Sequence, residues 1–508
     1  MIRSAAPVGV RLGIVRGISY GMFGAPDSFV PEMRELGGTL VRVYVYWSQV
    51  EPEPGRYDWT VVDAILGQLD PADEVWVTVC SSSPWATRHR TGFLPSSPAH
   101  DLRRYARFVS DLVARCRGRV DYWQCNNEPS NTGLLWAGTA ADYVEQLTAF
   151  HRCVRGAAPE ATVVLGGCGY DVLSSPADSP ARQFFDHVVE HGRDAFDLFS
   201  VHLYGDPHDI PGQVESVRGM MRRHGYERPV VAGEYNGPTL FEFPEAQSVF
   251  QQTMMAAFAE QGPAAPGTRP ADATSDGPLD GAPRTTSPEA PPEAPPEAPD
   301  RRTMRTLYAR MAQLPPQLQM FMEGCPPEIA AKRDRINCRQ IVTRNILALA
   351  SGVTRTACWN LAPEIPGYRD RLNMMGFLFG KLALMDYDGT GLTRRHPSAD
   401  TFALLAACLD GTSHVRRIDV EDRPDLYAFE VSRAGRGPLH VLWAAGDVFT
   451  GEDEPGTPVD WPWPHPTVHG LDAFGSRVPV QRDGGTVRVR PSVTPLFLSA
   501  GPEAVPRH

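Results

Sequence analysis

Val120-Asp121-Tyr122-Trp123-Gln124-Cys125-Asn126-Asn127-Glu128-Pro129 reads as a strand over Val120–Asn126 that ends in two amides and a carboxylate. The run is apolar on both faces, as a strand covered on both sides in a parallel sheet must be. Stretches of helical character flank it, Leu102–Cys116 before and Ala140–Ala157 after. The same alternation continues outward. Upstream lie Leu12–Tyr20, Leu40–Trp47 and Glu74–Cys80; downstream lie Ala161–Gly167, Phe196–Tyr204, Pro229–Tyr235 and Thr354–Leu361. Eight βα units predict an α/β protein of the (β/α)8 TIM barrel type. A doubly wound open sheet is the competing fold. However, the first strand-to-helix turn, Ser19-Tyr20-Gly21-Met22-Phe23-Gly24, is not a G-x-G-x-x-G loop, and the sequence holds no P-loop. No nucleotide cofactor is indicated.

Two departures from the βα rhythm set the expected domain plan. From Gly262 to Asp300 the chain turns to Pro, Ala, Gly, Asp and Glu and ends in a PEAP repeat. Such a segment carries no apolar periodicity and cannot pack a core. It interrupts the helix expected after the seventh strand, since helical periodicity resumes at about Met304. After Leu384 a helix (Ala399–Leu409) precedes alternating runs at Leu426–Val431, Leu439–Ala444, Thr486–Arg490 and Pro495–Ser499. We therefore expect residues 1–384 to form the barrel, interrupted at 262–300, and residues 385–508 to form a small antiparallel β-sandwich-like domain packed on it. That domain lacks a cluster of ionisable residues and reads as a structural partner, with sugar binding as the lesser option.

Composition narrows the partners. The 508 residues are 42% hydrophobic and 21% charged, as in an ordinary globular protein. A formal net charge of −11 opposes binding to phosphate backbones, so no nucleic-acid partner is expected. The nine cysteines show no C-x-x-C pair or metal-site spacing, which reads as buried free thiols and no metal. The opening MIRSAAPVGVRLGIVRG is broken by Arg11 and Arg16, and no apolar run of about 18 residues occurs. We expect a cytoplasmic protein with no membrane partner. Its oligomeric state is not legible.

In a (β/α)8 barrel the chemistry sits at the C-terminal ends of the strands. Strand four delivers Glu128 there and strand seven delivers Glu234, within Gly233-Glu234-Tyr235-Asn236. Two carboxylates facing across one mouth suit glycoside hydrolysis, where one attacks and the other shuttles a proton. Strand six ends Val201-His202-Leu203-Tyr204, and period two puts His202 and Tyr204 on one face, both able to donate to a carboxylate. Arg42, in the otherwise apolar Leu40-Val41-Arg42-Val43-Tyr44, must find an anion or water. Trp359, ending strand eight, offers an indole to a sugar face. Trp47, Trp85 and Trp136 lie in loops expected at the same mouth and suggest an aromatic-lined cleft.

Over most of residues 12–360 this constellation resembles the retaining glycoside hydrolases of clan A, most of all family 39, the β-xylosidase and α-L-iduronidase family. The stretches that carry it are Gly55-Arg56-Tyr57-Asp58-Trp59, Trp123 to Asn131, Phe196 to Tyr204, and Gly233 to Asn236. The resemblance implies that Glu128 is the acid/base and Glu234 the nucleophile. It also implies that Asn127 binds the sugar 2-hydroxyl, that His202 and Tyr204 support the nucleophile, and that Trp359 floors the subsite of the cleaved sugar. The substrate would be an oligosaccharide or small glycoside. One residue departs from the pattern: family members often carry histidine two residues after the strand-two arginine, where this chain has Tyr44.

On this reading Arg42, Tyr204 and Asn236 hold Glu234 ionised, while burial and the charge of Glu234 keep Glu128 protonated until the first step is over. No cofactor is required. A transglycosidase using the same residues and a catalytically silent carbohydrate-binding protein remain the alternatives.

Overall fold

The computed structural model describes residues 9–259, 297–363 and 370–501. Eight parallel strands form one sheet: β1 (Arg11–Val15), β2 (Leu40–Tyr46), β3 (Glu74–Cys80), β4 (Tyr122–Cys125), β5 (Thr162–Val164), β6 (Phe199–Leu203), β7 (Val230–Tyr235) and β8 (Arg355–Cys358). Their order is β5-β4-β3-β2-β1-β8-β7-β6. Between β5 and β6 the ring is joined by bridges Val164–Leu198 and Cys168–Val201, with Leu165 N–H donating to Leu198 O and His202 N–H to Cys168 O. This is the (β/α)8 barrel. All eight strands fall within the expected runs or start one residue before them. The runs overreach where glycines take the chain into loops: β1 stops at Val15, before Gly17 with φ +100°, and β5 stops before Gly166-Gly167.

The barrel floor is sealed by Leu40, Trp76, Tyr122, Val164 and Val231, pointing inward from five strands. Below them Glu74 on β3 holds Arg355 at 3.0 Å and Arg11 at 3.1 Å and accepts from the Tyr122 hydroxyl at 3.0 Å. This plug separates the Glu74 ion-pair cluster from the polar side chains at the mouth. The helices outside have one apolar stripe each. In Leu102–Arg115, capped by the Asp101 carboxylate on the Arg103 N–H, the buried residues are Tyr105, Phe108, Val109, Leu112 and Val113, at i, i+3, i+4 spacing.

One irregularity in the sheet matters for the site. β6 pairs with β7 as Val201↔Ala232, then as His202↔Glu234, so Gly233 is an extra residue in β7. A bulge of this kind shifts every later side chain of its strand by one place. Regular pairing would set Gly233 beside His202 and turn Glu234 the other way. The bulge instead puts Glu234 next to His202 inside the barrel. Glycine is required at the bulge, because a Cβ there would come within 2.5 Å of Ser200 Oγ.

Residues 262–296 of the Pro/Ala/Glu-rich stretch lie outside the described residues, but Pro299 and Asp300 already belong to a helix, Pro299–Ala309, with proline in its first turn where no amide partner is needed. The long helix Pro327–Ala350 follows and leads to β8. At the C-terminus a five-stranded antiparallel sheet contains Thr412–Arg417, Leu426–Arg433, Leu439–Ala444, Leu496–Ser499 and His469–Asp472, and a three-stranded one contains Val459–Pro462, Thr486–Val489 and Gln481–Asp483. Leu426, Leu442, Trp461, Trp463, Val487 and Leu498 form the core between them. The other face of the larger sheet, through Phe429, Val431, Val441 and Trp443, joins the main core of the barrel. Among the described residues no helix is long and apolar enough to cross a membrane.

Candidate active site

Glu234 is buried, and each of its oxygens is engaged. Oε1 accepts from Arg42 Nη1 at 2.8 Å and from the Tyr44 hydroxyl at 2.7 Å; Oε2 accepts from the Tyr204 hydroxyl at 2.9 Å and lies 3.3 Å from His202 Nδ1. Arg42, fully buried, also donates to Gly233 O at 2.7 Å and to Asn127 Oδ1 at 2.9 Å, so one guanidinium ties β2 to β7 and to the end of β4. Burial would raise the Glu234 pKa, but the charges of His202 and Arg42 and the two tyrosine hydroxyls outweigh it and bring the carboxyl below its ordinary value.

Glu128 is held differently. It follows β4 in left-handed backbone with φ +38°, as does Asn126 at +55°. Non-glycine residues adopt that region at a cost, and here hydrogen bonds fix the turn. Asn126 Oδ1 accepts from the Ser81 N–H at 2.8 Å, and Asn131 N–H donates to Glu128 O at 3.0 Å. The Glu128 side chain meets one close partner, His202 Nδ1, 2.6 Å from Oε1. Burial pushes its pKa up, Glu234 and Asp171 push the same way, and His202 opposes them without cancelling the rise.

His202 thus touches both carboxylates: it lies near Glu234, as expected, but its nearer partner is Glu128. Its ring fits only because residue 167 is glycine: a Cβ there would lie 2.1 Å from His202 Nε2. One donor or acceptor atom each from Glu128, His202 and Glu234 lie within 4.8 Å of one another. This is the only group of metal-ligating size among the described residues, and arginine and tyrosine donors already occupy most of the Glu234 lone pairs.

Asn127 Oδ1 is taken by Arg42 and, at 3.3 Å, by Gln124 Nε2, which turns its amide nitrogen into the remaining donor. A narrow pocket beside it is lined by Ile18, Tyr44, Tyr46, Cys80, Leu94 and Asn127. Trp359 stands edge-on to Tyr44 with ring centres 6.4 Å apart and packs at the same apolar wall as Ile18 and Leu94.

Two expected contacts are not made. Asn236 does not reach Glu234: its Nδ2 donates to Trp359 O at 2.5 Å and Leu382 O at 2.7 Å, and its Oδ1 accepts from Asn337 at 2.7 Å, so it fastens β7 to β8 and to the long helix. The aromatic cleft is absent as drawn. Trp85 donates to Glu51 O at 3.0 Å and packs edge-on against Trp47, which stacks on Phe108 of the outer helix at 5.1 Å; Trp136 is buried against Tyr143. Trp47 and Trp136 belong to the main core and Trp85 packs against it, so these indoles fill the scaffold instead of lining a cleft. The residue that sequence reasoning undervalued is Tyr44. Period two from Arg42 placed it inside the barrel, and that was the signal available.

Fold and site together define a (β/α)8 protein whose mouth holds one carboxyl shifted up and one shifted down. Neither a protein-family model nor a curated protein matches the chain. Among solved structures it is similar to a family 39 glycoside hydrolase from Bacteroides cellulosilyticus, with 14% identity, 96% of this chain and 80% of that one covered, and a TM-score of 0.56. It is also similar to a family 51 α-L-arabinofuranosidase from Bifidobacterium longum (13% identity, 97% of each chain, TM-score 0.54) and a glucosidase from Croceicoccus marinus (15% identity, 97% of each chain, TM-score 0.53). At these identities the likeness establishes the fold.

Proposed function

We propose that the protein is a retaining glycoside hydrolase of clan A, similar to family 39, acting on an oligosaccharide or small glycoside. The observation that supports this is the closeness of the two carboxylates: one oxygen of Glu128 and one of Glu234 lie within 4.8 Å of each other, which favours direct attack, with carboxyls about 5–5.5 Å apart, over the inverting route, at about 6.5–9.5 Å. The glycosidases among the similar folds support the same reading.

In the first step Glu234 attacks the anomeric carbon while Glu128 gives its proton to the leaving oxygen. Arg42, Tyr44 and Tyr204 keep Glu234 ionised for that attack. The C–O bond to the leaving group breaks as the glycosyl ester to Glu234 forms. Glu128, now a carboxylate, then takes a proton from water, whose oxygen displaces Glu234. His202 holds Glu128 in register for both transfers, and the Asn127 amide is placed to bind a sugar hydroxyl.

The test is a panel of aryl β-D-xyloside, β-D-glucoside, β-D-galactoside, α-L-arabinoside and uronide substrates with wild type and Glu234→Ala. We expect aryl alcohol from wild type only, a product whose anomeric configuration is retained by NMR, and recovery of the variant by azide. An inverted product would overturn the scheme.

A further inference from the structure

Resting on that reading of the site, the geometry points to Asp171 as a positioning residue that acts through Glu128: we propose that its carboxylate, set against Glu128 from the short helix Tyr170–Leu173 after β5, sets the proton affinity of the acid/base in both halves of the reaction. The sequence around it is Gly166-Gly167-Cys168-Gly169-Tyr170-Asp171, and its side chain contacts neither Glu234 nor the pocket beside Asn127.

The placement is built. Ser130, two residues beyond Glu128, donates from Oγ to Asp171 Oδ2 at 2.9 Å, so the same loop that presents Glu128 also anchors Asp171. Gly169 separates the two acids: a Cβ there would sit 2.5 Å from Asp171 Oδ1 and 3.1 Å from Glu128 Oε1, so those oxygens are no farther apart than the sum of the two distances. No side chain intervenes at Gly169. At such separations in a half-buried site, like charges interact strongly.

The charged and titratable groups facing Glu128 are Asp171 and Cys168 from the segment after β5, His202 and Tyr204 from β6, and Glu234 from β7. Those facing Asp171 are His202, Cys168 and Glu128, with the Ser130 hydroxyl. Glu234 and Asp171 both raise Glu128, but they differ in time. Once Glu234 carries the sugar it is a neutral ester and its influence ends. Asp171 is never glycosylated, so its charge persists and leaves Glu128 a stronger base toward water than it would otherwise be.

The experiment is a carboxyl titration by NMR on protein carrying 13C-labelled glutamate, with Glu128 assigned from Glu128→Gln, in wild type, Asp171→Asn and Ser130→Ala. We expect the Glu128 midpoint to fall by about one unit in Asp171→Asn, and less in Ser130→Ala, which keeps the carboxylate but loses its anchor. The basic limb of the kcat/KM profile should move down by the same amount. An unmoved Glu128 midpoint in a folded Asp171→Asn variant overturns the proposal, as does a basic limb that stays put while the midpoint moves. The titration needs no substrate: a shifted midpoint in a protein inactive on every glycoside would uphold the coupling and remove the hydrolase reading instead.

Discussion

Arg42→Met tests the electrostatic logic of the site most directly. The arginine is wholly buried and gives hydrogen bonds to Glu234, Gly233 O and Asn127, so removing it strands a buried carboxylate and two buried acceptors. Breaking one side of a buried ion pair costs about 3–5 kcal/mol. The cost has a pH signature. In wild type Glu234 is shifted down on folding, so it adds stability above its unfolded pKa, lost as pH falls through the folded value. In the variant, burial, the largest influence on Glu234, is still opposed by His202, Tyr44 and Tyr204 but no longer by Arg42, so its folded pKa rises from the wild-type value. The stability the variant lacks relative to wild type then grows as pH rises, by about 1.4 kcal/mol per unit between the two folded values. Urea unfolding of both proteins from pH 4.5 to 7.5 should show the gap widening by that slope over the lower part of the range. A gap that stays constant with pH would refute the reasoning and reduce the effect of Arg42 to packing.

Wild-type hydrolysis should follow a bell in pH, its acidic limb set by ionisation of the lowered Glu234 and its basic limb by loss of the proton from the raised Glu128, as kcat/KM against pH on an active aryl glycoside would show. Tyr44→Phe removes one 2.7 Å donor from Glu234 while leaving the ring packed, and should move the acidic limb to higher pH with little change in thermal stability. Gly233→Ala drives a methyl toward Ser200 Oγ and should cost about 1–3 kcal/mol in denaturant unfolding and, by displacing Glu234, about a hundredfold in kcat. Asn236→Ala, because it ties β7 to β8 rather than touching Glu234, should lower the unfolding midpoint without shifting the acidic limb.

Sequence carried the barrel far because each strand is covered on both faces and so reads as an unbroken apolar run; β3, expected and found at Glu74–Cys80, is the plainest instance. The weak strands of the C-terminal sheets escaped for the opposite reason. Gln481–Asp483 is exposed throughout, and in Thr412–Arg417 only Thr412 and Val415 are buried, so neither carries an apolar signal. At the site, Arg42, His202 and Tyr204, whose positions follow from strand period, come together with the two glutamates, although Glu234 reaches the interior through the bulge at Gly233 and Glu128 through a left-handed turn after β4. What period cannot convey is where a loop turns a side chain after the strand has ended. Trp85 and Asn236 both lie in that regime, and both point into the scaffold. Asp171 belongs there too, four residues beyond Gly167, with nothing in its local sequence to mark it.

The extra residue in β7 makes the chemistry of this barrel a matter of counting. Deleting Gly233 would close the bulge and leave Glu234 opposite His202 and Tyr235 opposite Leu203, so the strand can lose this one residue without changing which side chains face inward. Removing Ala232 as well would set Glu234 against Val201 and Tyr235 against His202, exchanging the carboxylate for a phenol ring at one stroke. In a lineage sharing this fold, the length of the seventh strand between its buried start and its mouth is therefore a more telling trait than the identity of most residues within it.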